Sequence, residues 1–243
     1  MPLSVPLELD GFKAIFKGRF ANNIAFTNLM LGEPIKEIRR NAFRGCSGLT
    51  EVLLPATLRK IEDSAFARCS KIPSMILPES LERLGRGIFY ECLELETITI
   101  KGKIQEIPGK LFKGCLALTK VTIEKPELIT TIEYEAFRNC FALEEFVIPG
   151  GVITIDTRAF QNCRSLREIT FQEGLYQILD MAFDGCQDIS HIDLPDSLEV
   201  IGDKAFSRCT KISTLTFGKN IKNIGKGAFT YSNDLNSIKL PEG

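Results

Sequence analysis

Eight cysteines and one histidine are the residues of this chain best suited to chemistry, and their spacing decides what that chemistry is. Zinc sites draw on cysteine pairs two to four residues apart, and no two cysteines here stand that close. Every step from Cys46 through Cys69, Cys92, Cys115, Cys140, Cys163 and Cys186 to Cys209 is 23 residues, except Cys115 to Cys140, which is 25. Thiols one period apart would carry parallel Cβ vectors, which the roughly 90° dihedral of a disulfide resists. Buried structural thiols acting as small apolar side chains are therefore expected, with no metal and no cofactor. His191 stands two residues before Asp193 on an expected strand. No serine or cysteine nucleophile shares a motif with it, so it reads as a solvated surface pair and not as an acid/base centre. Phosphate-binding and dinucleotide-binding glycine motifs are also missing, which leaves no basis for catalysis.

The elements that place these cysteines follow from the residues around them. Phenylalanine precedes each cysteine by three: Phe43, Phe66, Phe89, Phe112, Phe137, Phe160, Phe183 and Phe206. Phe229 continues the series, with Ser232 in the cysteine position. Alanine precedes the phenylalanine except at Ile88 and Leu111. Three residues after each cysteine comes Leu or Ile, then another apolar residue after three more and a third after two, as in Leu49, Val52 and Leu54. The last two, spaced by two, face the same way on a short strand. Pro55, Pro78, Pro149, Pro195 and Pro241 follow directly and lack the N–H that would extend a ladder. Two more apolar residues three apart, such as Leu58 and Ile61, lead to the next Ala-Phe. The three-residue step from Phe to Cys predicts one tight helical or 3₁₀ turn.

A 23-residue coil cannot bury its own apolar face, whereas a neighbour in register can, so the chain is expected to stack into a solenoid. The fold class is α/β: a curved solenoid with a parallel sheet on its concave face, and short helical or 3₁₀ turns and extended segments elsewhere. One domain over 1–243 is expected, with a degenerate capping coil over 1–34 and about nine repeats over 35–243. In the first coil Phe12, Ile15, Phe20, Asn23, Phe26, Leu29 and Leu31 take the equivalent positions, and the two-residue insertion lies within 124–128. Leu240-Pro241-Glu242-Gly243 stops just after a strand, so further polypeptide, a partner or a second copy is expected to cover that end.

The combined pattern Cys-x-x-Leu-x-x-Ile-x-Leu-Pro-x-x-Leu-x-x-Ile-x-x-x-Ala-Phe resembles the BspA-like, treponemal-type leucine-rich repeats over essentially the whole chain. The resemblance implies a non-enzymatic role in adhesion to a protein partner such as a host or matrix protein, or less readily a glycan, from the cell surface or in secreted form. The start, Met1-Pro2-Leu3-Ser4-Val5-Pro6, shows no secretory leader, which leaves a cytoplasmic place open. A structural or scaffolding role inside the cell is the alternative, through end-to-end or lateral self-association.

Outward positions on the concave strands are the expected partner surface: Thr97, Thr99, Lys120, Thr122, Glu145, Val147, Glu168, Thr170, His191 and Asp193. They continue a row that starts with Leu53 and Ile76, so the face grades from apolar through threonine-rich to charged. Threonine and valine also favour exposed strands for their own sake. Leu93, Leu116 and Phe141 form a second apolar column in a place that is otherwise polar. Thirty Lys and Arg against thirty-one Asp and Glu leave a net charge of −1, without the field that draws nucleic acid. The balance is uneven, with 19 basic and 14 acidic residues over 1–125 against 11 and 17 beyond. No apolar run approaches the ~20 residues of a membrane-spanning helix.

Overall fold

The computed structural model describes residues 12–239, and the expectation about the end after Leu240 falls outside them. Contacts gather the chain into two compact units. One runs to Ile104 and takes in Lys110–Lys125, and the other holds Gln105–Gly109 and everything from Pro126 on.

Each unit is a stack of coils, and each coil contributes to two parallel sheets. In the first unit the longer strands are Asn28–Met30, Glu51–Leu53, Ser74–Leu77, Thr97–Ile100 and Lys120–Ile123. They pair in the 23-residue register, Thr97 beside Lys120 and Ile98 beside Val121. The second unit repeats this with Glu145–Val147, Glu168–Thr170, His191–Asp193, Thr214–Thr216 and Ser237–Lys239. The return segment, expected only to be extended, builds a sheet of its own from two-residue strands. Ala14–Ile15, Glu37–Ile38, Lys60–Ile61 and Arg83–Leu84 form it in the first unit. Glu106–Ile107, Thr131–Ile132, Thr154–Ile155, Gln177–Ile178, Val200–Ile201 and Asn223–Ile224 form it in the second.

The longer ladder is interrupted between Glu51–Leu53 and Ser74–Leu77, and Pro73 explains this. The Thr50 N–H donates to the Thr27 carbonyl at 2.8 Å, and the Glu96 N–H to the Pro73 carbonyl at 2.8 Å. Pro73 has no N–H to offer Thr50, so the bond that would open the next rung is missing.

The helical turn expected between Phe and Cys is replaced by a run of tight turns. Among the described residues the one helical element is the 3₁₀ segment Pro126–Leu128, in the 124–128 stretch that holds the two-residue insertion. In the coil of Phe43, Asn41 and Gly45 have φ of 58° and 73°, on the left-handed side. Left-handed residues recur at these two positions in every coil, for example Ser64 with Arg68 and Arg158 with Asn162. A left-handed residue at every fourth position stops helix propagation. The N–H groups are shared out instead. Those of Ala42, Arg44 and Cys46 bond three residues back, and those of Asn41, Phe43 and Gly45 reach Asp63, Ala65 and Ala67 of the next coil at 2.7–3.0 Å. This third ladder satisfies backbone that the core would otherwise leave unpaired.

The core is a column of stacked rings. In the first unit Phe20, Phe43, Phe66, Phe89 and Phe112 stack nearly parallel, with centroids 5.2–6.3 Å apart. In the second, Phe137, Phe160, Phe183, Phe206 and Phe229 do so at 4.8–5.4 Å. All eight cysteines are buried and free. Their role exceeds that of small apolar fillers, because within each unit the thiols donate to the phenylalanine carbonyl of the coil before. Cys69 reaches Phe43 at 3.1 Å, Cys92 reaches Phe66 at 3.2 Å and Cys186 reaches Phe160 at 3.1 Å. Burial pushes the Cys46 thiol up to about 11 and those of Cys69 and Cys115 higher still, so the thiols are held protonated as donors. In the first coil Ile15, Leu29 and Leu31 are buried, while Phe12 lies half exposed, edge-on to Phe16.

Candidate interaction surface

Strand alternation dictates what each unit offers to a partner. Along Glu51–Leu53 the middle residue is buried and its neighbours exposed, and Ser74–Leu77 alternates in the same way. The exposed side chains stand in rows, one residue per coil, at the ~4.8 Å strand spacing.

In the first unit Thr97, Lys120 and Thr122 are exposed and Thr99 is half-buried. Register sets Lys120 beside Thr97 and Thr122 beside Thr99. The row through Thr99 begins further back, with Met30 beside Leu53 and Ile76 in the following coil. These three are 48%, 49% and 59% exposed. Met30 was missed from sequence, although Leu29 and Leu31, assigned there to inward positions, place it between them on the outer row. Leu93 and Leu116, on the turn side, are also exposed in successive coils.

In the second unit Glu145, Val147, Glu168, Thr170, His191 and Asp193 are all exposed. Glu145 lies directly beside Glu168 and Val147 beside Thr170. Facing carboxylates at strand spacing repel each other. The strands Glu168–Thr170 and His191–Asp193 belong to separate sheets, and a cleft of about 490 Å³ opens there, walled by Glu168, Thr170, His191 and Asp193. His191 departs from the expected pairing with Asp193. Its Nδ1 lies 2.6 Å from the Thr214 hydroxyl of the next coil, where register sets the two side by side. Phe141 does not present a bare ring either, since the Arg164 guanidinium covers it at 4.6 Å.

Charged side chains mostly pair one coil apart, as in Arg40 with Asp63, Arg68 with Glu91 and Lys222 with Glu199. One such set in the second unit has a buried carboxylate under an exposed guanidinium. Asp184 accepts from Arg208 at 2.6 and 2.9 Å and from Gln161 at 2.9 Å. Burial works to raise the Asp184 pKa, but the hydrogen bonds from Arg208 and Gln161 outweigh it and hold the carboxyl below its ordinary value. No group of three His, Cys, Asp or Glu side chains among the described residues is placed to hold a metal ion. None of their helices is long and apolar enough to cross a membrane.

The BspA type leucine rich repeat region matches this chain in six copies, over residues 13–141 and 130–243. The chain belongs to the BspA-type leucine-rich-repeat family. Among solved structures, a leucine-rich repeat protein from Bacteroides ovatus is 27% identical with a TM-score of 0.79, the match covering 95% of this chain. This chain spans 58% of the length of that protein. A leucine-rich repeat protein from Eubacterium ventriosum is 19% identical with a TM-score of 0.60, over 96% of this chain and 71% of the other. The T. pallidum leucine rich repeat protein is 24% identical with a TM-score of 0.52, over 76% of each. The last two share the leucine-rich-repeat fold at identities that speak to the fold alone. Comparison with curated proteins gives no match.

Proposed function

We propose that this chain is a protein-binding module of the adhesive kind, displayed at the cell surface or secreted, and that its partner sits on the outer face of the longer strands. The observation that carries this reading is the row Met30, Leu53 and Ile76. Three half-exposed apolar side chains in successive coils have no part in the core, and contiguous exposed apolar surface characterises protein contact sites. Thr97, Thr99, Lys120 and Thr122 continue that face with hydroxyls and a cation, which suits a polar rim around an apolar centre. Glu145, Val147, Glu168, Thr170, His191 and Asp193 give the second unit a more acidic face of the same construction. Membership of the BspA-type family supports the adhesive and surface-exposed part of the reading.

Binding of the purified chain to an array of immobilised matrix and serum proteins tests it. The double variant Leu53→Asp, Ile76→Asp is expected to lose binding more than tenfold while keeping its thermal midpoint within a few degrees. Undiminished binding by that folded variant would move the site off this face. A scaffolding role is favoured by Leu93 and Leu116 instead. It predicts concentration-dependent self-association in sedimentation, abolished by Leu93→Asp with Leu116→Asp.

A further inference from the structure

The sheet of two-residue strands in the first unit carries a charge pattern that protein docking on the longer strands does not use. Five of its ion pairs are internally settled: Arg39 with Glu37, Arg40 with Asp63, Arg59 with Glu82, Lys60 with Glu62 and Arg68 with Glu91. Those pairs engage the carboxylates on this side. Lys13, Lys17, Lys36, Arg44 and Arg83 are exposed and have no ion-pair partner among the described residues. They are not scattered. Lys13 and Lys36 occupy the same register position in successive coils, the Lys36 N–H donating to the Lys13 carbonyl at 2.8 Å.

Two clefts concentrate the excess. One of about 470 Å³ is walled by Lys17, Arg40, Lys60 and Arg83, with Glu62 and Asp63 as its acidic members and Ile61, Leu84 and Gly85 in its lining. The other, about 510 Å³, is lined by Lys17, Arg44, Arg68, Asn22 and Asn41 and contains no carboxylate. Lys17 belongs to both, so the clefts adjoin; of their six cations Arg40, Lys60 and Arg68 are paired with Asp63, Glu62 and Glu91, and Lys17, Arg44 and Arg83 are left over. Gly85, in the lining of the first, lets the backbones of two coils approach closely, as Gly202 and Gly225 do in the second unit. A side chain at Gly85 would lie against the neighbouring coil, its Cβ 2.4 Å from the Asp63 nitrogen.

We propose that this side of the first unit binds an acidic polysaccharide bearing sulfate or carboxylate groups. Guanidinium and ammonium groups spread over several coils suit a polymer with repeated anionic groups, and arginine forks match planar or tetrahedral oxyanions. Neither cleft has an aromatic ring in its lining on which a nucleobase would stack. An acidic protein would want an apolar anchor pocket at the centre of its contact, where these clefts offer only two aliphatic side chains. The corresponding positions of the second unit carry Tyr134, Thr157, Asp180, Asp203 and Lys226, so only one of its five coils keeps a cation where Lys17 and Arg40 stand, and the site belongs to the first unit. It is independent of the protein-binding reading, which concerns another face.

The test is titration of the full chain with dextran sulfate, beside neutral dextran of equal length, poly-glutamate and single-stranded DNA. Dextran sulfate is expected to bind, weakening as salt rises because exposed charges are screened, while neutral dextran does not. The triple variant Lys17→Ser, Arg44→Ser, Arg83→Ser should lose affinity more than tenfold with an unchanged thermal midpoint. The matching variant Arg158→Ser, Lys204→Ser, Lys226→Ser, on the second unit, should lose less than threefold. Equal losses in the two variants, or binding of poly-glutamate or DNA as tight as that of dextran sulfate, would overturn the proposal.

Discussion

The two units use one register to different ends. In the first, the rings of the phenylalanine column spread to 6.3 Å between Phe66 and Phe89 and 5.8 Å between Phe89 and Phe112. These are the coils in which Ile88 and Leu111 replace the small alanine before the phenylalanine. In the second, alanine is kept throughout and spacings stay at 5.4 Å or less. The second unit also adds another layer of rings. Phe146 tilts against Phe137 and Phe160, while Phe171 meets Phe183 and Phe217 meets Phe229 edge-on. The first unit fills most of those strand positions with Val52, Met75, Leu77, Ile98 and Ile100. Outside, the contrast reverses, because the first unit carries the exposed apolar row and the two basic clefts. A repeat thus fixes the backbone and leaves ring packing and surface chemistry free to vary from coil to coil.

Removing a ring where the column is tightest should have the largest effect. Phe160→Ala is expected to cost about 3–5 kcal/mol, read by denaturant unfolding, and Phe89→Ala should fall at the lower end of that range because its stack is looser. An equal or larger loss at Phe89 would break the link between ring spacing and stability.

Next comes the buried carboxylate. Asp184→Ala strands Arg208 and Gln161 and should cost about 2 kcal/mol. The same group sets a pH dependence in the second unit. Its folded pKa lies below its unfolded one, so its contribution is present above the unfolded value of about 3.9 and is lost as pH falls through the folded value. Stability should therefore drop below about pH 4, and Asp184→Asn should flatten that part of the curve. A variant with the slope of the parent would assign acid sensitivity to other carboxylates.

The smallest effects concern the thiol column. Cys46 is elevated only to about 11, against higher values further along, so a thiol reagent should modify it ahead of Cys69 and Cys115, with all eight reacting after unfolding. Mass spectrometry of partly labelled protein reads the order. At Ser232 the hydroxyl is buried without a hydrogen-bond partner. Ser232→Cys supplies the longer reach of a thiol and should gain up to about 1 kcal/mol.

Much of this fold was legible because its determinants are apolar and periodic. The Phe and Cys positions, the inward strand residues and the parallel register all followed from the 23-residue step. The turn between Phe and Cys was misread as helical for a physical reason. Its left-handed residues include Asn41 and Gly45, which advertise such a conformation, but also Glu91, Arg158 and Met181, which do not. Tertiary hydrogen bonds impose that geometry, and no local propensity records it. The break at Pro73 had a visible signal, a proline within a strand pattern, whose meaning depended on knowing which rung it should have joined. On the candidate surface the exposure of alternate residues was legible. The turn of His191 toward Thr214 and the cover of Arg164 over Phe141 depend on rotamers that spacing does not specify.

The thiol bond from each coil to the one before has a consequence for copy number. Cys69, Cys92, Cys163 and Cys186 each reach a carbonyl 26 residues earlier, and away from the insertion the cross-coil backbone bonds likewise recur at offsets of 22 to 24 residues. Excising or duplicating a whole 23-residue segment away from the insertion within 124–128 would return the remaining donors to equivalent acceptors. Lengthening or shortening such a molecule needs no compensating substitution at the new junction, so unequal recombination would change its reach without first passing through an unfolded intermediate.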